Sequence, residues 1–174
     1  MEDNRNLIDG FKGMPIEDIV SILDKSDIAL EIAVENLERD YNMGTIVRSA
    51  NAFGVRHVHV VGRRQWNKRG AMMTDKYLHV HYHATHDEFL DAISHKTLVA
   101  IDNIAGSMPL HAYPLPKKCV LIFGSESKGI SLELLKKANA IVEIEQFGST
   151  RSINVGVAAG IAMYTWVQQH ILLR

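Results

Sequence analysis

A single cysteine, Cys119, excludes any internal disulfide. It begins the apolar run at 119–123, which reads as strand core rather than as a reactive thiol. No apolar run approaches the roughly 18 residues of a membrane span. The first residues, 1–6, lack a charged n-region followed by an apolar h-region, so a secretory signal is not expected. Soluble, cytoplasmic behaviour is the expectation. A global positive charge is also missing, since the formal net charge is −1. A nucleic-acid partner would therefore have to be held by a local basic patch. The densest such patch is 63–69, with Arg63, Arg64, Lys68 and Arg69 around Trp66. Without a partner it reads as a solvated loop.

What is present suits one ordinary globular domain of 174 residues, 47% of them hydrophobic. Short apolar runs at 28–34, 57–61, 97–101, 119–123 and 140–144 read as strands. Those at 97–101 and 119–123 are continuous enough to be covered on both faces. Segments 44–53, 87–94 and 131–138 suit helices. The alternation predicts an α/β domain with a mostly parallel sheet flanked by helices. Residues 1–27 read as an N-terminal arm or short helix, and 28–174 as the domain. Residues 108–116 hold three of the four prolines and read as a loop. The last helix candidate, 152–171, is apolar all round its centre. That predicts burial on several sides, part of it beneath a second subunit.

Three segments carry candidate chemistry. Residues 42–55 place Asn42 where it can cap a helix, with Arg48 six residues on and Gly54 at the far end. Residues 121–131 run from a buried strand through a loop between Gly124 and Gly129 into a helix. The glycine spacing fits neither a Walker loop nor a dinucleotide fingerprint, and Glu126 would repel a phosphate. Residues 144–160 lead from a strand through a polar loop into the long helix. Ser152 is its candidate N-cap, and Asn154 lies on its first turn. Each segment alone is also explained by capping and turn chemistry.

Together, and in this order, they resemble the three signature motifs of the SpoU (TrmH-like) RNA 2′-O-methyltransferases of the SPOUT superfamily. Ile153 stands where a leucine is usual, and Asp40-Tyr41 where many members have proline. The resemblance spans about 28–168. It implies a C-terminal deep trefoil knot, a homodimer with a shared active site, and S-adenosyl-L-methionine as methyl donor. It implies cofactor contacts from Asp102, Gly124, Ile144, Ile153 and Asn154. It implies catalytic positions at Asn42, Arg48, Glu126, Ser152 and Asn154. The family's arginine is proposed as a base. A guanidinium hardly gives up its proton, so a phosphate or oxyanion clamp at Arg48 is the better reading. RNA, as tRNA or rRNA, would meet Arg48, Arg63, Arg64, Lys68 and Arg69. Lack of the N-terminal RNA-binding domain carried by many 23S rRNA enzymes points toward tRNA.

Three other readings stay open on sequence alone. A base methyltransferase on the same fold is one, and a non-catalytic RNA-binding or ribosome-assembly protein is another. The third is a metal site at His79, His81 and His83. These would share one face of a strand, but one straight strand seldom wraps a metal. The expectation is no metal and a polar edge strand.

Overall fold

The structure is a computed structural model and describes residues 7–36, 42–125 and 128–173. Asp40, Tyr41 and Glu126 lie outside the described residues. The strands are β1 (Glu31–Asn36), β2 (His57–Gly62), β3 (His79–His83), β4 (Thr97–Ile101), β5 (Met108–Pro109), β6 (Cys119–Phe123) and β7 (Ala140–Glu143). They form a seven-stranded sheet in the order β3-β2-β1-β6-β4-β7-β5, and every pairing is parallel. Both β6 and β7 are inserted between strands that precede them in sequence, an order consistent with the implied knot.

Helices cover both faces, as a parallel sheet requires. They are α1 (Ile16–Leu23), α2 (Met43–Ala52), α3 (His86–Ala92), α4 (Leu132–Lys137) and α5 (Val155–Val167). Alternation along β1 sends Ile32 and Val34 into the core shared with α2 and α5, and Ala33 into the core shared with α3 and α4. The Cys119 thiol is buried in the first core, and burial pushes its pKa up to about 12. That leaves it an inert packing group.

The apolar runs at 97–101 and 119–123 match β4 and β6 end to end. The first strand starts later and runs further than expected, through Glu35 and Asn36. Both are fully buried polar residues with partners. Glu35 accepts from His86 Nε2 at 2.8 Å and from the Ser131 amide at 2.7 Å. Asn36 donates to the carbonyls of Arg63 and Gln65. The proline-rich stretch is not wholly loop, because Met108–Pro109 adds a two-residue edge strand beside β7. The final helix is shorter than its apolar pattern. It begins at Val155, and Gln168–Leu172 continues as a π-helical turn.

Candidate functional site

In open α/β sheets, ligands sit beyond the carboxyl ends of the strands where the strand order reverses. A cavity of about 930 Å³ opens there, lined by the ends of β4 (Ile101, Asp102) and β6 (Phe123, Gly124) and by Ile144 just after β7. Ser152, Ile153 and Asn154 complete the wall before α5. All five residues expected to hold a cofactor therefore line one cavity, although they come from three separate segments.

Two of them act by shaping the wall. A Cβ at Gly124 would lie 2.0 Å from the Gly129 carbonyl carbon and 2.3 Å from the Ile130 nitrogen. The loop doubles back across position 124, and only glycine permits that approach. Asp102 holds the same loop from the other side, its Oδ2 accepting from the Ile130 amide at 3.1 Å. The next turn is fixed by Glu35, whose carboxylate receives the Ser131 amide. Ser131 itself caps α4. Glu35 gave no functional signal in the sequence, where it directly follows the apolar run at 28–34.

The caps differ from expectation. Ser152 is exposed and does not cap α5. Asn154 does, its Oδ1 accepting from the amides of Gly156 at 3.0 Å and Val157 at 3.2 Å. Asn42 stands at the N-terminus of α2 but makes no side-chain cap, because its backbone is already helical (φ −80°, ψ −19°). A capping side chain normally rises from extended backbone. The Asn42 Oδ1 instead accepts from Asn154 Nδ2 at 2.9 Å. The first and third motifs thus meet directly. Arg48 lies on the exposed side of α2 and does not line the cavity. Glu126, the residue of the second motif expected to be catalytic, lies outside the described residues.

Arg63, Arg64, Lys68 and Arg69 are all exposed, on the segment leaving β2. Its start is pinned by the bonds from Asn36. Trp66 is half-buried against the α2/α5 core and donates to the Tyr82 hydroxyl at 3.4 Å. Arg64 lies over the Tyr82 ring at 4.7 Å. Lys68 pairs with Asp75 at 2.8 Å, and that bond raises its pKa despite some burial. Arg64 and Lys68 therefore lie over aromatic rings, Tyr82 and Trp66, while Trp66 itself is half-buried.

The alternating histidines of β3 share a face, but the face is not a bare edge. Their rings stack with His57 and His59 of β2. His57 Nδ1 meets His81 Nε2, and His59 Nδ1 meets His83 Nε2, each at 2.9 Å. His59 also reaches Glu31 at 3.1 Å, and Lys96 closes on the same carboxylate. Burial works against the Glu31 charge, yet the bonds from His59 and Lys96 hold its pKa at about 2. Burial, with the nearby His59 and His57, takes His81 down to about 4. Among the described residues, no group of three or more His, Cys, Asp or Glu is placed to hold a metal ion. No described helix is long and apolar enough to cross a membrane.

A family model described as the SpoU rRNA Methylase family matches residues 29–164. The tRNA (guanosine(18)-2′-O)-methyltransferase of Escherichia coli K12 is 28% identical over 156 residues, covering 84% of this chain and 66% of that protein. The mouse tRNA (guanosine(18)-2′-O)-methyltransferase TARBP1 is 25% identical over 91% of this chain, which spans only 11% of its length. A crystal structure of an AdoMet-bound rRNA methyltransferase from Sinorhizobium meliloti superposes with a TM-score of 0.73 at 25% identity. That match covers 82% of this chain and 57% of the other.

Proposed function

Because the chain belongs to the SpoU rRNA Methylase family, we propose that it transfers a methyl group from S-adenosyl-L-methionine to a ribose 2′-hydroxyl of RNA. The observation that carries this reading is the convergence of the three motifs on one site. The cofactor-type residues line a single strand-end cavity. At its edge, Asn154 joins the third motif to Asn42 of the first. A base methyltransferase or a non-catalytic RNA-binding protein remains the alternative outcome of the test below.

The cavity fits the donor by its chemistry. Aliphatic side chains such as Ile130, Leu135, Ile144 and Ile153 suit the faces of an adenine ring, and Asp102, Asn103, Lys128 and Ser152 suit a ribose and a charged amino-acid tail. Bound there, S-adenosylmethionine supplies an electrophilic methyl group on a sulfonium. The chain's own task is alignment, which is where most of the rate gain in such a transfer lies. Asn154 caps α5 and so fixes the wall beside the donor. Arg48 clamps a phosphate or the developing oxyanion with its bidentate fork. Glu126 and Ser152 complete the set assigned by the motifs.

Two further parts belong to this reading. RNA, as tRNA or rRNA, is held by Arg48 and by the exposed cations Arg63, Arg64, Lys68 and Arg69. A homodimer forms over α5. The outer side of that helix leaves Val157 53%, Ile161 39% and Tyr164 45% exposed. These lie four and three residues apart and so form one apolar stripe. Residues 28–174 make up the catalytic domain, 1–27 an arm that includes α1, and the protein works in the cytoplasm.

The direct test is transfer of labelled methyl from S-adenosylmethionine to total tRNA and rRNA, with nucleoside mapping of the product. A 2′-O-methylated nucleoside is the expected product. A methylated base would replace this reading with its base-methylating alternative, and no transfer to either RNA pool would favour the non-catalytic one.

A further inference from the structure

Gly129, Ile130 and Ser131 form one wall of the strand-end cavity, just before α4 begins. Two carboxylates from other strands hold consecutive amides of that wall. Asp102, just after β4, accepts from the Ile130 amide at 3.1 Å. Glu35, inside β1, accepts from the Ser131 amide at 2.7 Å. Asp102 lines the cavity itself. Glu35 does not line it, and it is 0% exposed.

A carboxylate buried so completely requires a countercharge as well as hydrogen bonds. His86 of α3 is placed to supply one. Its Nε2 lies 2.8 Å from Glu35 Oε1, and its Nδ1 lies 2.8 Å from Glu133 Oε2 on α4. Both neighbours are acceptors. A neutral imidazole carries one N–H and serves only one of them, whereas the imidazolium serves both. The bridge thus ties α3 to β1 on one side and to α4 on the other. Its members are spread over three elements, and none of them lines the cavity.

We propose that Glu35 and His86 are a positioning pair for the methyl donor: the imidazolium holds the Glu35 carboxylate, and that carboxylate holds the cavity wall at Ser131. The inference rests on the assignment of the cavity to S-adenosylmethionine. Neither residue touches the donor. Their effect passes through the backbone of the wall, so donor binding is coupled to a proton held outside the cavity. Burial works against the His86 charge, yet the bonds to Glu133 and Glu35 raise its pKa above the usual 6.5. Below 6.5 both bonds are in place. As pH rises through the raised value, one ring nitrogen loses its hydrogen, and one of the two carboxylates loses its donor. Among the described residues the cavity lining holds no histidine, so a response near neutral pH has no source within the lining itself.

Glutamine at position 35 reverses the requirement. Its carbonyl oxygen still accepts from the Ser131 amide, while its NH2 faces the ring. That NH2 suits the lone pair of a neutral imidazole and repels an imidazolium.

Calorimetry on the full chain with S-adenosylhomocysteine at pH 6 and pH 8.5 tests the pair. The quantity read is the ratio of the two affinities, compared between proteins, so that titration of the ligand itself cancels. The wild type is expected to bind about tenfold more weakly at the higher pH, the scale of one charge-assisted hydrogen bond. Glu35→Gln should bind more weakly than the wild type at pH 6 and lose most of the pH ratio. His86→Gln, which cannot take up a proton, should lose it too. A merely structural role would weaken binding equally at both pH values and leave the ratio as in the wild type. That outcome in both folded variants would overturn the proposal, as would a wild-type ratio near one. If Glu35→Gln does not fold, His86→Gln, at a side chain 20% exposed, decides alone. If the wild type binds no S-adenosylhomocysteine at either pH, the cofactor assignment itself fails, a result distinct from pH-independent binding.

Discussion

Asn154 Nδ2 donates to Asn42 Oδ1 at 2.9 Å across 112 residues of sequence, while the oxygen of the same Asn154 carboxamide caps α5. One side chain therefore sets the start of the last helix and ties it to the start of α2. The packing is tight beneath it. A Cβ at Gly156 would meet the Thr45 side chain at 3.2 Å, and one at Gly44 would lie 2.6 Å from the Ala71 nitrogen.

Removing that carboxamide should cost more than removing its partner. Asn154→Ala loses a cap and a bridge, and a lost cap alone costs about 0.5–2 kcal/mol. Asn42→Ala loses the bridge but no cap. Urea denaturation of both variants and of the double variant is expected to order them so, with the two losses not additive. Equal and fully additive losses would mean that the two asparagines act independently.

Arg48 separates two chemical roles. Arg48→Lys and Arg48→Ala should be compared in single-turnover assays at saturating RNA and cofactor. A clamp predicts that alanine loses about 2.7–4 kcal/mol of transition-state stabilisation, the scale of one missing oxyanion donor. Lysine should recover a good part, because the charge survives while the fork does not. Calorimetric affinity for the cofactor should be unchanged in both, since Arg48 does not line the cavity. If lysine is as inactive as alanine at every pH while RNA still binds, the clamp is wrong and a proton-transfer role gains ground.

Much of this was legible in the sequence, for reasons that differ by element. The strands β4 and β6 are apolar on both faces, so their limits follow from composition. The cavity residues were named through the resemblance of the three motifs to a known family, not through spacing or composition. Legibility failed where polar residues are buried. Glu35 and Asn36 end an apolar run, yet they continue β1, because His86 and Ser131 donate to the Glu35 carboxylate and the 63–65 backbone accepts from the Asn36 side-chain amide. It failed also at the caps. Ser152 and Asn154 are both good capping residues, and only the backbone course chooses between them. Trp166 was hidden in the same way, since an apolar helix does not announce which side is its core.

The proposed dimer forms over the outer side of α5, not the side that holds Trp166. Trp166 is fully buried within the chain, and its Nε1 donates to the Pro116 carbonyl at 3.1 Å. Trp166→Glu should therefore unfold the protomer. Ile161→Glu places the charge on the exposed stripe instead, and should yield a folded monomer by sedimentation at micromolar concentration. A wild-type protein that sediments as a monomer would remove the shared active site from the proposal.

The exposed cations after β2 predict a salt effect. Neutralising Arg63, Arg64, Lys68 and Arg69 should weaken RNA binding and flatten its dependence on salt, because fewer counterions are released. On a single-stranded target, every phosphate that the protein no longer neutralises takes about 0.7 from the slope of log affinity against log salt. Lys68 is already paired with Asp75, so its share should be the smallest. Cofactor affinity should stay the same. An unaltered slope would return the segment to a solvated loop.

The histidine face predicts how stability depends on pH. The folded pKa of His81, about 4, lies below the usual 6.5, and those of His57 and His83 are lowered in the same direction, chiefly by burial. Between these values the unfolded chain binds more protons than the folded one, so stability falls as the pH drops below about 6.5. Glu31 extends the loss. Its carboxylate, held at about 2 against a usual 4.5, contributes stability that disappears as pH falls through that window. His86 works in the opposite sense. Burial disfavours its charge, but hydrogen bonds to Glu133 and Glu35 outweigh this and raise its pKa. Its contribution is complete below 6.5 and is lost as pH rises through the raised value. Stability should therefore pass through a maximum, with the acid side set by the stacked histidines and Glu31 and part of the alkaline side by His86. Chemical denaturation between pH 4.5 and 8 measures both limbs. His81→Gln, which cannot take up a proton, should make the acid limb shallower, and His86→Gln should act on the alkaline limb instead. An acid limb of unchanged slope in His81→Gln would show that His81 does not carry the proton uptake, and would leave it to His57, His83 and Glu31.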